Sequence, residues 1–196
     1  MSNNRIKPKK ENPWPFVRMA FLLLALASAA GAQETRREVP KPSPTPEQDS
    51  KANSDLVPDV YAVSGRFERV LVLRFKYQTD LLAGLEKMVK REKILNAVIL
   101  SGVGSVTGYS VHMVVNRTFP SKVVIVTNPK APSDLLGMNG YIIDGKIHAH
   151  VTLSNPDNAF GGHLEPGTSV FTFAVVTLGV MSDGADFSHL DDKTYR

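Results

Sequence analysis

The sequence predicts a single α+β domain on a largely antiparallel sheet. Three observations carry that expectation. One amphipathic helical segment follows the first strand pattern, a run of alternating apolar segments separated by turn residues follows the helix, and 42% of residues are hydrophobic, enough for a core. A length of 196 residues suits one ordinary domain with appendages.

The appendages come first. Residues 1–32 begin with a basic, polar stretch, continue through "MAFLLLALASAA" and end on Ala30-Gly31-Ala32. That three-part pattern is a secretory signal peptide, with cleavage expected after Ala32 and a periplasmic or secreted product. The alternative is an uncleaved anchor, but about twelve apolar residues fall short of the roughly 20 that cross a bilayer as a helix, so no permanent membrane anchor is expected. No Cys follows the apolar run to carry a lipid, and Arg36-Arg37 lies on the wrong side of it for a twin-arginine signal. The leader also holds the charge. Arg5, Lys7, Lys9, Lys10 and Arg18 against Glu11 give it the whole net +4, leaving 18 basic and 18 acidic residues in the remainder. Residues 33–59, with prolines at 40, 42, 44 and 46, read as an extended, solvated, disordered linker.

The domain is expected over 60–182, with a C-terminal tail over 183–196. "RFERVLVLRFKY" alternates and is rich in β-branched and aromatic residues, hence a strand. Asp80 is placed to cap "LLAGLEKMVKREKI", in which Leu81, Leu82, Leu85, Met88 and Val89 share one helical face. "NAVILSG" reads as a buried strand; "YSVHMVV" and "KVVIVT" follow as strands separated by "NRTFPS". Between the first two of these, Gly102, Gly104 and Gly108 are spaced GxGxxxG, but a strand pattern follows where a phosphate site needs a helix N-terminus. A tight turn with close backbone packing is the better reading. "YIIDGKIHAHVTLS" gives two strands about Asp144-Gly145, and "SVFTFAVVTLGVM" a long last strand.

The chemistry concentrates in "GKIHAHVTLSNPDNAFGGHLEPGT". In "KIHAHVTLS", strand parity puts Ile147, Ala149, Val151 and Leu153 on one face and His148, His150 and Thr152 on the other. If "NPDN" is the loop, Ser154 faces Ala159 and His150 lies opposite His163, with His148 on the same face. That register brings three imidazoles within reach of one ion; a one-residue slip would turn His163 away. Against it stands the plain reading of HxH as an ordinary half-exposed strand. With no cysteine in the chain, any metal must take imidazole and oxygen ligands. A three-His set leaves a fourth position open, as in catalytic zinc, where water can be activated. Glu165 is the nearest candidate catalytic base, an exposed turn residue in "LEPG" being the simpler reading. His112 reads as a strand residue and His189 as surface.

The stretch from "GKIHAHV" through "GGHLEPGTSVFTFAVVTL" resembles the signature end of the plants and prokaryotes conserved (PPC) domain, in its paired His148 and His150, Gly161-Gly162-His163-Leu164, and Gly167 before the last strand. Upstream, "VLRFKYQTDLLAGLEKMVKREKILNAVILSGVGSVTGYSV" is similar to the family's strand–helix–strand opening. The resemblance implies an α/β (α+β) domain with a largely antiparallel sheet flanked by helices, a homotrimer, and a metal, usually zinc, on the three histidines of prokaryotic members. Those positions correspond to His148, His150 and His163, and zinc or another divalent metal is the expected cofactor. A small-molecule ligand at the open position is the expected partner. Bacterial members often carry a DNA-binding label, but this chain has no AT-hook-like Arg-Gly-Arg-Pro, and its net-zero mature charge argues against nucleic acid. A trimeric scaffold with a purely structural metal is the remaining alternative.

Overall fold

A computed structural model gives the fold and describes residues 35–40 and 54–192. The chain divides into two units, Met1–Gln33 and Glu34–Arg196, and every described residue falls in the second. The expected signal peptide, residues 33–34 and 41–53 of the linker and the last four residues lie outside the described residues.

Within the described residues, eight strands and one helix follow in the order β1 (Arg36–Glu38), β2 (Phe67–Lys76), α1 (Leu81–Arg91), β3 (Ala97–Val114), β4 (Val123–Asn128), β5 (Ser133–Ile143), β6 (Lys146–Ser154), β7 (Ala159–Leu164) and β8 (Ser169–Met181). All pairings are antiparallel. The single short helix corrects the expectation of a sheet flanked by helices. After α1 the sequence alternates with the period of strands, and no second segment has a helical apolar face to bury.

The helix forms because its ends are satisfied and one face is apolar. Asp80 accepts a hydrogen bond from the Ala83 amide at 2.9 Å through Oδ1, and its Oδ2 accepts from the Gly167 amide at 2.7 Å. One side chain therefore caps the helix and ties it to the turn that precedes β8. Leu81, Leu85 and Val89 are buried, each fully buried Leu being worth about 1.5–3 kcal/mol. The helix stops at Arg91, short of the sequence expectation, because Lys93 turns left-handed at φ 54° and the Ile94 amide reaches back to the Val89 carbonyl at 3.0 Å.

Strand β3 organises the sheet. Its first half lies between β5 and β8; its second half pairs with β4, and Val111 and His112 also face Leu164 and His163 of β7. Since β5 pairs with β6 and β6 with β7, the four strands β3, β5, β6 and β7 close a circuit. The expected turn in "SGVGSVTG" does not occur: "NAVILSG" and "YSVHMVV" belong to one strand, irregular against β8 between Ile99 and Ser101 and again at Gly104/Val106 and Val106/Gly108. The close packing does occur. A Cβ on Gly104, at φ +154°, would meet the Ala174 Cα at 2.6 Å.

The hairpin turns follow the sequence reading. Asp144 and Gly145 have φ of 50° and 74°, which lets Ile143 face Lys146 across a two-residue turn. In "NPDN", Asn155 Oδ1 accepts from the amides of Asp157 and Asn158 at 3.0 and 2.9 Å, fixing the loop that sets Ser154 opposite Ala159.

Two stretches expected to be loose are docked. Arg36–Glu38, in the expected tether, pairs with β4 as an edge strand, its residues exposed. Residues 183–192, in the expected tail, bury Ala185 and Phe187; Asn96 Nδ2 donates to the Ala185 carbonyl at 2.9 Å.

Candidate metal centre

The histidines reach one patch through strand parity. Along β6, Ala149, Val151 and Leu153 are buried at 1%, 3% and 0% exposure, which commits His148 and His150 to the opposite face. Across the hairpin His150 faces His163, and on the other side of β7 His163 faces His112 of β3. The ligand atoms of His148, His150 and His163 all lie within 4.8 Å of one another.

The spacing within this cluster suits an ion. Two nitrogens held about 2.0–2.1 Å from a tetrahedral zinc stand about 3.3–3.4 Å apart. Nε2 of His148 is 3.3 Å from Nε2 of His150. His163 completes the set edge-on, its ring centroid 4.8 Å from that of His148 and 5.3 Å from that of His150.

The environment favours the neutral, metal-binding form at His163 and His150. His163 is pushed down to about 4, first by burial, then by the charges that His112, His148 and His150 would carry, with Glu165 opposing. His150 is lowered as well, by burial first and then by His148 and His112. Neutral imidazoles surrender no proton on coordination.

Glu165 stands apart from the three-His cluster. Its Oε1 lies 2.5 Å from Nδ1 of His112, and that ring stacks on His163 with centroids 4.4 Å apart and planes at 20°. Its backbone is held in place because the Glu165 amide donates to the Ser110 carbonyl at 3.0 Å and the fully buried Thr168 bonds Ser110 in both directions. His112, His163 and Glu165 also form a group that could hold an ion. The 2.5 Å contact between His112 Nδ1 and Glu165 Oε1 is a charge-assisted hydrogen bond, and those two atoms are too close to serve together as ligands of one tetrahedral ion. Glu165 is a half-buried partner of His112 rather than the exposed turn residue of the simpler sequence reading.

The sequence reading named His148, His150, His163 and Glu165, and the structure brings the three histidines together with His112 beside them. It did not anticipate His112, whose place depends on the distant β3–β7 pairing, or Asp191. Oδ1 of Asp191 lies 3.0 Å from Nδ1 of His148, the nitrogen of that ring not turned to His150. Beside the cluster is a cavity of ≈ 380 Å³ lined by Asn139, Tyr141, His148, His150, Leu190 and Asp191, among others. His189, read as surface, is part exposed and meets Tyr61 edge-on at 5.9 Å.

Several solved structures are similar to this chain. A metal-containing protein of Archaeoglobus fulgidus is 22% identical, with a TM-score of 0.54 over 69% of this chain and 95% of its own. A plant- and prokaryote-conserved protein of Pyrococcus horikoshii is 22% identical, with a TM-score of 0.48 over 65% of this chain and 86% of its own. A hypothetical protein of Salmonella cholerae-suis is 21% identical, with a TM-score of 0.49 over 62% and 81%. No curated protein sequence matches. The family model that does match spans residues 62–182, taking in β2 to β8 and all three clustered histidines, so the chain belongs to the Plants and Prokaryotes Conserved (PCC, or PPC) domain family.

Proposed function

We propose that this is an exported, metal-binding PCC-domain protein, with zinc the ion its donors suit best and a small ligand taken at the open side of the centre. The observation that carries the reading is the 3.3 Å separation of the His148 and His150 Nε2 atoms, the edge of a zinc tetrahedron, with His163 facing both. The Archaeoglobus fulgidus protein of the same fold is described as metal-containing, which supports it. When bound, a divalent ion would supply Lewis acidity at a position the protein leaves open. The chain's own part is to hold three imidazoles on the β6–β7 hairpin and to present the adjoining ≈ 380 Å³ cavity.

The exported form rests on the leader pattern. Among the described residues no helix is long and apolar enough to cross a membrane. A homotrimer, as the family resemblance implies, would use apolar surface. Val70, Val72, Val103, Phe171 and Phe173, from the paired strands β2, β8 and β3, are 44–65% exposed and give it such surface.

The test is elemental analysis of purified residues 33–196, with His150→Ala beside it. One divalent ion per chain, lost in the variant, is the expected result; a wild-type protein without stoichiometric metal ends the proposal. Chelation separates the roles, because a protein that unfolds on losing metal is a scaffold, whereas a folded apo-protein leaves the ion free for ligand chemistry. Sedimentation of the same sample gives the assembly, and the N-terminus of the exported product is expected at Gln33.

A further inference from the structure

We propose that the C-terminal segment completes the metal centre: Asp191 positions His148, and docking of residues 183–192 is coupled to occupation of the three-His site. The inference rests on reading that site as a metal centre. It concerns residues beyond the family match, which ends at residue 182.

The two nitrogens of His148 have different neighbours. Nε2 is turned to His150 at 3.3 Å, while Nδ1 lies 3.0 Å from Oδ1 of Asp191. A histidine that binds metal through Nε2 must carry its proton on Nδ1. A carboxylate against Nδ1 selects that tautomer, fixes the ring and makes the ligand more basic. Asp191 is thus a positioning residue, acting on the ion through His148.

The segment that brings it there is held at separate points. Ala185 and Phe187 are 7% and 5% exposed, Asn96 donates to the Ala185 carbonyl, and Phe187 meets Tyr141 edge-on at 6.2 Å. Leu190 and Asp191 then line the cavity together with His148 and His150. The segment therefore sets both the access to the site and the orientation of one of its ligands.

The side chains of His148 and Asp191 are 36% and 48% exposed. A polar contact so open to water stabilises little by itself. An ion on Nε2 would strengthen Nδ1–H as a donor, so the same contact is worth more in the metal-bound state. Linkage then runs both ways: whatever factor the docked segment adds to metal affinity, the metal adds to docking.

The experiment measures zinc affinity by competition with a chromogenic chelator in the full chain, Asp191→Asn and Asp191→Glu, together with amide exchange of residues 183–192 and melting of the apo-proteins. Asp191→Asn is expected to weaken zinc binding about 10–100-fold while leaving apo melting unchanged, and Asp191→Glu to recover part of the loss. Zinc is expected to slow exchange across 183–192 in wild type and not in Asp191→Asn. Wild-type zinc affinity in Asp191→Asn overturns the inference and leaves the three-His reading standing. A loss matched by an equal drop in apo melting also overturns it, because that is the mark of a merely structural contact. A wild-type chain that does not bind zinc removes the metal-centre reading itself.

Discussion

His112 and His163 lie face to face, 4.4 Å between ring centroids and 20° between planes, although they are far apart in sequence. His163 is thereby flanked across both neighbouring strands by imidazole, with His150 opposite it on β6 and His112 opposite it on β3. Its low affinity for protons follows from this placement. Burial removes solvent from the ring, and a proton on any neighbour opposes a second on His163.

Removing one neighbour should therefore be visible at another. In the metal-free protein, His112→Gln is expected to move the titration of His163 up from about 4 toward the ordinary 6.5, because the charge of His112 is the largest cause after burial. Proton NMR of the His163 ring against pH reads this directly. A midpoint unmoved by the substitution would show that His112 has no part in the depression and refute the coupling.

The same depression makes the apo-protein sensitive to acid. The folded-state value of His163 is about 4 against 6.5 unfolded, and His150 is displaced in the same direction. Between those values the unfolded chain takes up a proton that the folded chain refuses. Stability is thus complete above pH 6.5 and is lost as pH falls toward about 4. Screening of these part-exposed rings holds the loss from His163 to about 1–2 kcal/mol. Urea unfolding of apo-protein across this window should show it, and His163→Gln should flatten the slope. Equal slopes in the two proteins would refute it.

What could be read from the sequence was local. The alternation of "KIHAHVTLS" and the turn chemistry of "NPDN" set the register that puts His150 opposite His163, because the loop fixes the pairing of the strands it joins. The position of His112 could not be read this way. It depends on β3 returning to β7, and β3 is irregular at three places against β8, each a point where simple strand parity fails. Its glycines read as a turn because Gly is the usual turn signal, whereas at Gly104 the missing Cβ admits the Ala174 backbone of the paired strand. The start of β5 was hidden for a related reason. "SDLLGMNG" has no β-branched residue, and its alternation breaks at the irregularity between Leu135 and Gly137. In the C-terminal segment, Phe187 and Leu190 are isolated apolar residues without a period, so nothing local announced that the segment docks.

Asp80 offers a test of how the fold supports the site. Its carboxylate caps α1 at Ala83 and holds the Gly167 amide, in the turn that links β7 to β8. Asp80→Ala removes both acceptors and is expected to cost about 1–3 kcal/mol, the sum of a lost cap and a lost exposed hydrogen bond. Asp80→Asn keeps one acceptor oxygen and should cost less. Denaturant midpoints of the two variants settle the order; equal costs would show that only one of the two bonds matters.

The sharpest test of the site's framework is Gly162. It precedes His163 on β7, and a Cβ there would lie 2.5 Å from the His112 carbonyl oxygen and 3.2 Å from Met113 Cγ. The methionine end can move, but a backbone oxygen inside a paired strand cannot swing aside, so β7 and β3 must separate. Gly162→Ala is therefore expected to destabilise the protein by about 1–3 kcal/mol. Because His163 is the next residue, its ring shifts with the strand, and zinc affinity should fall about tenfold or more, metal ligands tolerating only about 0.5 Å of misplacement. Gly137→Ala is the matched control, since a Cβ there meets nothing within 4 Å. It should melt and bind zinc as wild type does. If Gly162→Ala behaved like Gly137→Ala, the close approach of β7 to β3 would not be what places His163.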